Sequence, residues 1–139
     1  FPEAVLGKGG FGVVVRGAVY GAAVAVKLPV MNRDSIERLP QLANELRVFR
    51  HARHPNLVQF LGAVIDAEAC RIGMVLELVL GESLTTFISK DFGRGRAAKY
   101  QVLVDVSAAL WYLHSREPVI VHGDLKSGNI LIDKSRGPY

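Results

Sequence analysis

The sequence predicts an α+β fold, in which a strand-rich N-terminal part is followed by a mainly helical part. Two valine-rich runs, at residues 13–15 and 24–26, flank the turn-like residues 20–22, a pattern typical of antiparallel strands joined by a tight turn. Residues 96–114 are apolar nearly all the way round a helix, which indicates a long helix buried on every side. The valine runs therefore predict the sheet, and the apolar helix predicts the core of the helical part.

Between these regions the sequence predicts one helix and two further strands. The helix begins near Pro40, which suits a first helical turn, and ends at residues 54–56. Strand-like runs follow at residues 57–65 and 72–80, and Ser83 could then cap a short helix. Spacings of three and four residues define the inward face of the Pro40 helix: Leu42, Glu45, Leu46 and Phe49.

The composition indicates a globular domain and argues against several classes of function. Half of the 139 residues are apolar and 22% are charged, which is typical of a folded chain. The net charge of +4 indicates a solvated basic surface; without paired cysteines or interleaved arginine and aromatic residues, we expect no nucleic-acid partner. The single cysteine, Cys70, fits a reducing compartment. No apolar run approaches the roughly 20 residues that span a bilayer, so no membrane segment is expected in this piece.

A glycine-rich segment at residues 7–14 has the pattern GxGxxGxV. Glycines permit a tight turn and let backbone amides approach phosphate oxygens closely. In a dinucleotide-binding fold such glycines lead from a strand into a helix, whereas here strand-like valines follow them, which disfavours that interpretation. For this motif taken alone, a glycine-rich hairpin that binds no ligand is the alternative.

Lys27 directly follows the second valine-rich run. A lysine after an apolar strand is often just an exposed residue, but here its ammonium could reach phosphates lying under the glycine-rich segment. An ammonium in that place needs a carboxylate to hold it, and Glu45 is the candidate. A solvated position for Glu45 is the alternative, although the solvated face of that helix should lie opposite the apolar residues.

The segment at residues 122–129 reads HGDLKSGN and places a carboxylate, an ammonium and an amide within six residues, at Asp124, Lys126 and Asn129. A carboxylate can accept a hydroxyl proton or orient the hydroxyl. A lysine can neutralise charge on a phosphoryl group, and an amide oxygen is a hard ligand for magnesium. We interpret the segment as a catalytic loop, with an ordinary surface turn as the alternative.

Taken in their order along the chain, these motifs resemble the signature set of the protein kinase family. The resemblance covers nearly the whole chain and implies an N-terminal antiparallel five-stranded sheet plus one long helix, followed by the partial start of a mainly helical C-lobe. The implied N-lobe is residues 1–80, with a hinge at about 77–81, and the implied partial C-lobe is residues 82–139.

The resemblance also implies how the chain would bind ATP. Gly7, Gly9 and Gly12 would cover the phosphates, and Lys27 would bridge the α- and β-phosphates while pairing with Glu45. The adenine would lie between apolar side chains and meet the hinge backbone, which involves the following residues: Leu6, Val14, Ala25, Leu131, Glu77 and Val79.

By the same resemblance, Asp124 would be the catalytic aspartate, Lys126 would contact the transferred phosphoryl group and Asn129 would ligate Mg²⁺. Lysine two residues after the aspartate resembles the serine/threonine-specific pattern, and GESL at residues 81–84 resembles the tyrosine-kinase-like branch. The implied function is transfer of the γ-phosphoryl of MgATP to Ser or Thr hydroxyls of a protein substrate, in the cytoplasm or at the cytoplasmic side of a membrane. The alternatives are a pseudokinase-like nucleotide-binding regulatory module and a truncated gene product without function.

Three departures from the family pattern modify these expectations. Gly123 stands where most members carry an arginine, which argues against activation through a phosphorylated activation loop. The tripeptide Asp-Phe-Gly at residues 91–93 precedes the catalytic loop, and we interpret it as coincidental. The magnesium-binding Asp-Phe-Gly that should follow residue 132 is missing, so we expect a C-terminally truncated domain that transfers little phosphate alone.

Overall fold

The chain divides into two compact units, the first made of Phe1–Arg53 and Val58–Leu78 and the second of His54–Leu57 and Val79–Tyr139. The structure is a computed structural model, and it describes residues 4–9, 12–29, 46–47, 49–66, 71–90 and 96–135.

The first unit contains a five-stranded antiparallel sheet with the strand order β1-β2-β3-β5-β4. The β2–β3 hairpin turns at Tyr20 and Gly21, which both have positive φ, the geometry that two-residue hairpin turns favour. The sheet confirms the predicted fold class. Its strands are β1 (Ala4–Gly9), β2 (Gly12–Val19), β3 (Ala22–Leu28), β4 (Phe60–Asp66) and β5 (Arg71–Glu77).

The last two predicted strands differ from the observed ones at their ends. Residues 57–59 are not part of β4, because the amide of Leu57 donates to the carbonyl of His54 in a turn and the amide of Gln59 donates to the Glu77 carboxylate. Residues 78–80 are not part of β5. Of the predicted helix before β4, residues 46, 47 and 49–51 are helical, whereas Pro40, Leu42 and Glu45 lie outside the described residues.

The first strand of the second unit is β6 (Gly81–Ser83), a short strand that the sequence pattern did not predict. It pairs with β7 (Leu131–Asp133), which follows the catalytic-loop segment. Helix α1 (Leu84–Ser89) follows β6, and the side chain of Ser83 accepts a hydrogen bond from the amide of Thr86. The predicted N-cap at Ser83 is thus confirmed.

Helix α2 (Arg96–His114) has the predicted bounds, but it is not buried on every side. Its buried residues are Val102, Ala109 and Leu113, whereas Leu103 is 66% and Trp111 is 76% exposed. Only one stripe of the helix faces the core, which Val102 forms with Phe87 and Ile132. Among the described residues, no helix is both long enough and apolar enough to cross a membrane.

Residues 54–57 belong to the second unit although the chain on both sides of them belongs to the first. The side-chain amide of Asn56 donates to the backbone carbonyl of Asp105 at 3.0 Å, and the ring of His54 lies 5.1 Å from the ring of Tyr112. Both contacts are made with α2. A four-residue segment is therefore held by side-chain contacts to a helix about 50 residues later in the chain.

Candidate active site

Asp124 is the centre of a hydrogen-bonded cluster in the loop before β7. The ammonium of Lys126 donates to both carboxylate oxygens at 2.9 Å. The side-chain Nδ2 of Asn129 donates to Oδ2 of Asp124 at 2.7 Å and to the backbone carbonyl of Asp124 at 2.8 Å. The structure thus brings together the three residues that the sequence motif predicted as catalytic.

A one-turn 3-10 helix, Ser127–Asn129, produces this arrangement. The amide of Asn129 donates to the carbonyl of Lys126 at 2.9 Å, which closes the turn. Lys126 is the extended N-cap residue of this turn and Asn129 is its last residue, so the tight turn keeps the two residues close to each other. Both can therefore reach the carboxylate of Asp124 at the same time.

The charge of Asp124 is stabilised by its two partners. The hydrogen bonds from Lys126, and secondly those from Asn129, lower the pKa of the Asp124 carboxyl from its ordinary value of 3.8. Its side chain is 41% exposed, so the carboxylate is accessible to a reacting group. A carboxylate with a lowered pKa is a weak base. It is suited to orienting a hydroxyl group and to accepting the hydroxyl proton only after the oxygen has begun to form a new bond.

Replacing Lys126 with Met should raise the pKa of Asp124 back towards 3.8, because the largest cause of the lowering is removed. A ¹³C NMR titration of the carboxyl carbon, without added metal, measures the change. In the native protein the cluster is stabilising above about pH 4 and is lost as the pH falls through the lowered pKa. Lys134→Met is the matched control, since Lys134 lies near Glu82 and should leave the titration of Asp124 unaltered. An unchanged pKa in Lys126→Met would contradict the assignment.

Asn129 has the chemistry of a magnesium ligand. Its Nδ2 donates to two acceptors on Asp124, so Oδ1 is the atom of the amide that can meet a cation. The described residues contain no group of three or more His, Cys, Asp or Glu side chains that could hold a metal ion. A magnesium ion at Asn129 would take this Oδ1 as one of its oxygen ligands.

The glycine-rich segment forms the hairpin between β1 and β2, with Gly9 opposite Gly12. Strand on both sides is the context that the valine pattern predicted. A Cβ atom added at Gly7 or Gly9 would meet no atom of the described residues within 4 Å, so the room beside the backbone there is open with respect to that part of the chain. A Cβ atom at Gly12 would collide with the carbonyl oxygen of Leu28 on the neighbouring strand. The close approach of β2 and β3 therefore requires glycine at this position. Gly7 and Gly9 thus leave the backbone accessible to a ligand.

Lys27 lies on the central strand β3, opposite Val14 on β2 and Met74 on β5. Its predicted partner, Glu45, lies outside the described residues. The residues predicted to enclose the adenine lie in different elements. Ala25 is buried on β3, Val14 is half-buried on β2, Leu6 is exposed at an irregularity of β1, and Leu131 is exposed on β7.

The predicted hinge contains Glu77 and Val79. The amide of Glu77 donates to the carbonyl of Gln59 at 2.9 Å, and its carboxylate accepts from the amide of Gln59. A contact between Glu77 and an adenine edge stays a prediction. Val79 is the first residue after the point at which the chain passes from the first unit to the second.

The sequence motifs did not identify two groups of residues that support the loop. Thr85 Oγ1 and Ser127 Oγ are 2.8 Å apart and form a hydrogen bond between α1 and the Ser127–Asn129 turn. The largely buried carboxylate of Glu82 binds Lys90 at 2.7 Å and lies 3.8 Å from Lys134. Neither group has a periodic signal, because each joins residues that only the fold brings together.

Comparison with known protein families shows to which family the chain belongs. The family model described as "Protein kinase domain" matches residues 2–137. The chain belongs to the protein kinase family. The matched range includes the glycine-rich segment, Lys27 and the Asp124 cluster.

Individual kinases are similar to the chain over nearly its full length. It is 36% identical to the serine/threonine-protein kinase CTR1 of Arabidopsis thaliana over 132 residues, which cover 93% of this chain and 16% of CTR1. It is 33% identical to the serine/threonine-protein kinase VIK of the same plant, covering 98% of this chain and 31% of VIK. The crystal structure of Rad53 residues 1–466 in complex with AMP-PNP superposes with a TM-score of 0.81 at 30% identity, covering 95% of this chain and 34% of that one. The chain thus spans less than a third of either plant relative.

Proposed function

We propose that this chain carries the ATP-binding and catalytic-loop part of a serine/threonine protein kinase. The observation that carries the proposal is the cluster of Lys126 and Asn129 around the accessible carboxylate of Asp124. Membership of the kinase family supports it, as do relatives named serine/threonine-protein kinases and a similar structure solved with AMP-PNP. We further propose residues 1–80 as the N-lobe, 77–81 as the hinge and 82–139 as part of the C-lobe, in a cytoplasmic protein or one at the cytoplasmic side of a membrane.

In the proposed reaction, the oxygen of a substrate Ser or Thr hydroxyl attacks the γ-phosphorus of ATP while the bond to the β–γ bridging oxygen breaks, which releases ADP. Asp124 accepts a hydrogen bond from that hydroxyl and orients its oxygen. Because the pKa of Asp124 is lowered, the proton transfers late, when the new oxygen–phosphorus bond has made it acidic. Lys126, beside Asp124, neutralises charge on the transferred phosphoryl group.

The remaining residues of the proposal bind the nucleotide. The open backbone at Gly7 and Gly9 lies against the phosphates, and the ammonium of Lys27 binds the α- and β-phosphates and pairs with Glu45. Asn129 supplies one oxygen to Mg²⁺, which when bound neutralises phosphate charge. Apolar contacts from Leu6, Val14, Ala25 and Leu131, and the backbone at Glu77 and Val79, bind the adenine.

The direct test is phosphorylation of a generic acceptor protein by the protein expressed from its complete coding sequence. With γ-³²P-ATP and Mg²⁺, we expect label on phosphoserine and phosphothreonine and none on phosphotyrosine, and we expect EDTA to abolish labelling. Label on tyrosine would refute the serine/threonine assignment. Binding of ADP with no labelling of any acceptor would instead favour the nucleotide-binding module.

A further inference from the structure

A hydrogen bond between two hydroxyl groups joins α1 to the catalytic loop. Thr85 Oγ1 and Ser127 Oγ lie 2.8 Å apart, although 42 residues separate them in the chain. Ser127 directly follows Lys126 and begins the turn that ends at Asn129. A contact that fixes Ser127 therefore helps to fix Lys126 and Asn129, the two residues whose side chains bond Asp124.

Helix α1 is itself fixed to the second unit on its other side. Its Phe87 is 2% exposed and packs with Val102 and Ile132 in the core. The amide of Leu84 donates to the carbonyl of Ile130 at 2.8 Å, and the capping hydroxyl of Ser83 accepts from the amide of Thr86. Thr85 thus extends its hydroxyl from a helix that is held by the core, by its cap and by Ile130, the residue that directly follows the turn.

The bonds of Asn129 to Lys126 and Asp124 hold the end of the Ser127–Asn129 turn, whereas the bond to Thr85 acts at its beginning. The segment is a single 3-10 turn, a conformation with poor hydrogen-bond geometry. Its N-cap residue, Lys126, makes no side-chain capping bond to the turn, because an ammonium has no acceptor for a backbone amide. Ser127 is exposed, so water competes for its hydroxyl when the bond from Thr85 is removed.

We propose that Thr85 is a positioning residue of this kinase, and that its hydroxyl, through Ser127, holds the turn so that Lys126 and Asn129 both reach Asp124. The inference rests on the proposed function, because Thr85 can affect kcat only if Asp124 takes part in phosphoryl transfer. Thr85 acts through Ser127 and touches no reacting atom. Helix α1 in this way connects the packed core to the catalytic loop.

The test compares Thr85→Val, which keeps the shape of the side chain and removes the hydroxyl, with Ser127→Ala and with the double variant. Because one modest hydrogen bond is lost, we expect each single variant to lower kcat about fivefold and to leave the KM for ATP unchanged. The double variant should lose no more than either single variant, since both remove the same bond. Thr85→Ser, which restores a hydroxyl, should recover the native kcat.

A second readout does not depend on activity. Hydrogen exchange of the Asn129 amide, which bonds the Lys126 carbonyl, should be faster in Thr85→Val in the nucleotide-free protein. Thr86→Val is the matched control, because the Thr86 hydroxyl lies beside Ser83 at 3.1 Å and does not contact the turn. If the native protein phosphorylates nothing, the proposed function fails and the exchange rates alone decide whether Thr85 orders the turn. Native kcat in Thr85→Val, additive losses in the double variant, unchanged exchange, or equal effects from Thr86→Val would each overturn the proposal.

Discussion

Replacing Asp124 with Asn should lower kcat for protein phosphorylation by about 10²- to 10⁴-fold, the range expected when a positioned acid–base group is lost. The neutral amide cannot receive the proton of the substrate hydroxyl, and it is a weaker partner for the ammonium of Lys126. Because both side chains are largely exposed, the fold should survive the loss of this ion pair. Steady-state kinetics and ADP titration calorimetry measure the two quantities of interest, kcat and nucleotide affinity.

The affinity for ADP should change little in Asp124→Asn, because the carboxylate is assigned to the acceptor hydroxyl and not to the nucleotide. Asp133→Asn is the matched control: Oδ1 of Asp133 accepts from the amide and hydroxyl of Ser135, and asparagine retains that acceptor. We expect this control to keep native kcat. Native turnover in Asp124→Asn would refute the catalytic assignment, and a large loss of ADP affinity would show that the residue acts on nucleotide binding.

Replacing Gly81 with Ala should destabilise the second unit by about 3 kcal/mol, at the upper end of the usual cost of overpacking. The new methyl group would collide with the carbonyl oxygen of Ile132 on the paired strand, and a backbone atom cannot rotate away as a side chain can. Relief of the collision requires β6 and β7 to separate. Hydrogen exchange of the β7 amides and urea unfolding followed by circular dichroism measure the loss.

The control for Gly81→Ala is Gly62→Ala, the same substitution in another strand. The Cβ atom of an alanine at Gly62 would meet no atom within 4 Å among the residues that the structure describes, so the free energy of unfolding should change by no more than about 0.5 kcal/mol. We also expect Gly81→Ala to lower kcat, because β7 directly follows the catalytic loop. Equal stability of the two variants would mean that the β6–β7 pairing is unimportant for the unit.

The elements that sequence patterns predicted well are those whose signal is local. The valine runs and the turn at Tyr20 and Gly21 predicted β2 and β3, and a continuous apolar helix predicted the bounds of α2. The pattern did not predict which stripe of α2 is buried, because a helix that is apolar all the way round has no single apolar face. The pairing of β6 with β7 was missed because three-residue strands have too few positions for a periodic pattern.

In the candidate site, too, the residues with a local sequence signal were predicted and those that depend on the fold were not. Residues 122–129 contain all three members of the Asp124 cluster within one short segment, so their spacing predicted a site that the structure assembles locally. Thr85 could not be predicted in this way, because its contact with Ser127 depends on the packing of α1 beside the loop. The nucleotide-binding roles of Lys27 and the hinge stay predictions.

The attachment of residues 54–57 to α2 has a consequence for dissecting the molecule. The polypeptide passes between the two units three times, after residues 53, 57 and 78, so no single cleavage yields both units intact. A fragment ending at Leu78 would carry away Asn56 and leave the Asp105 carbonyl without its side-chain donor, and would remove His54 from the ring of Tyr112. Expression trials with the two units as independent fragments should therefore supply residues 54–57 to the C-terminal one, for instance by circular permutation.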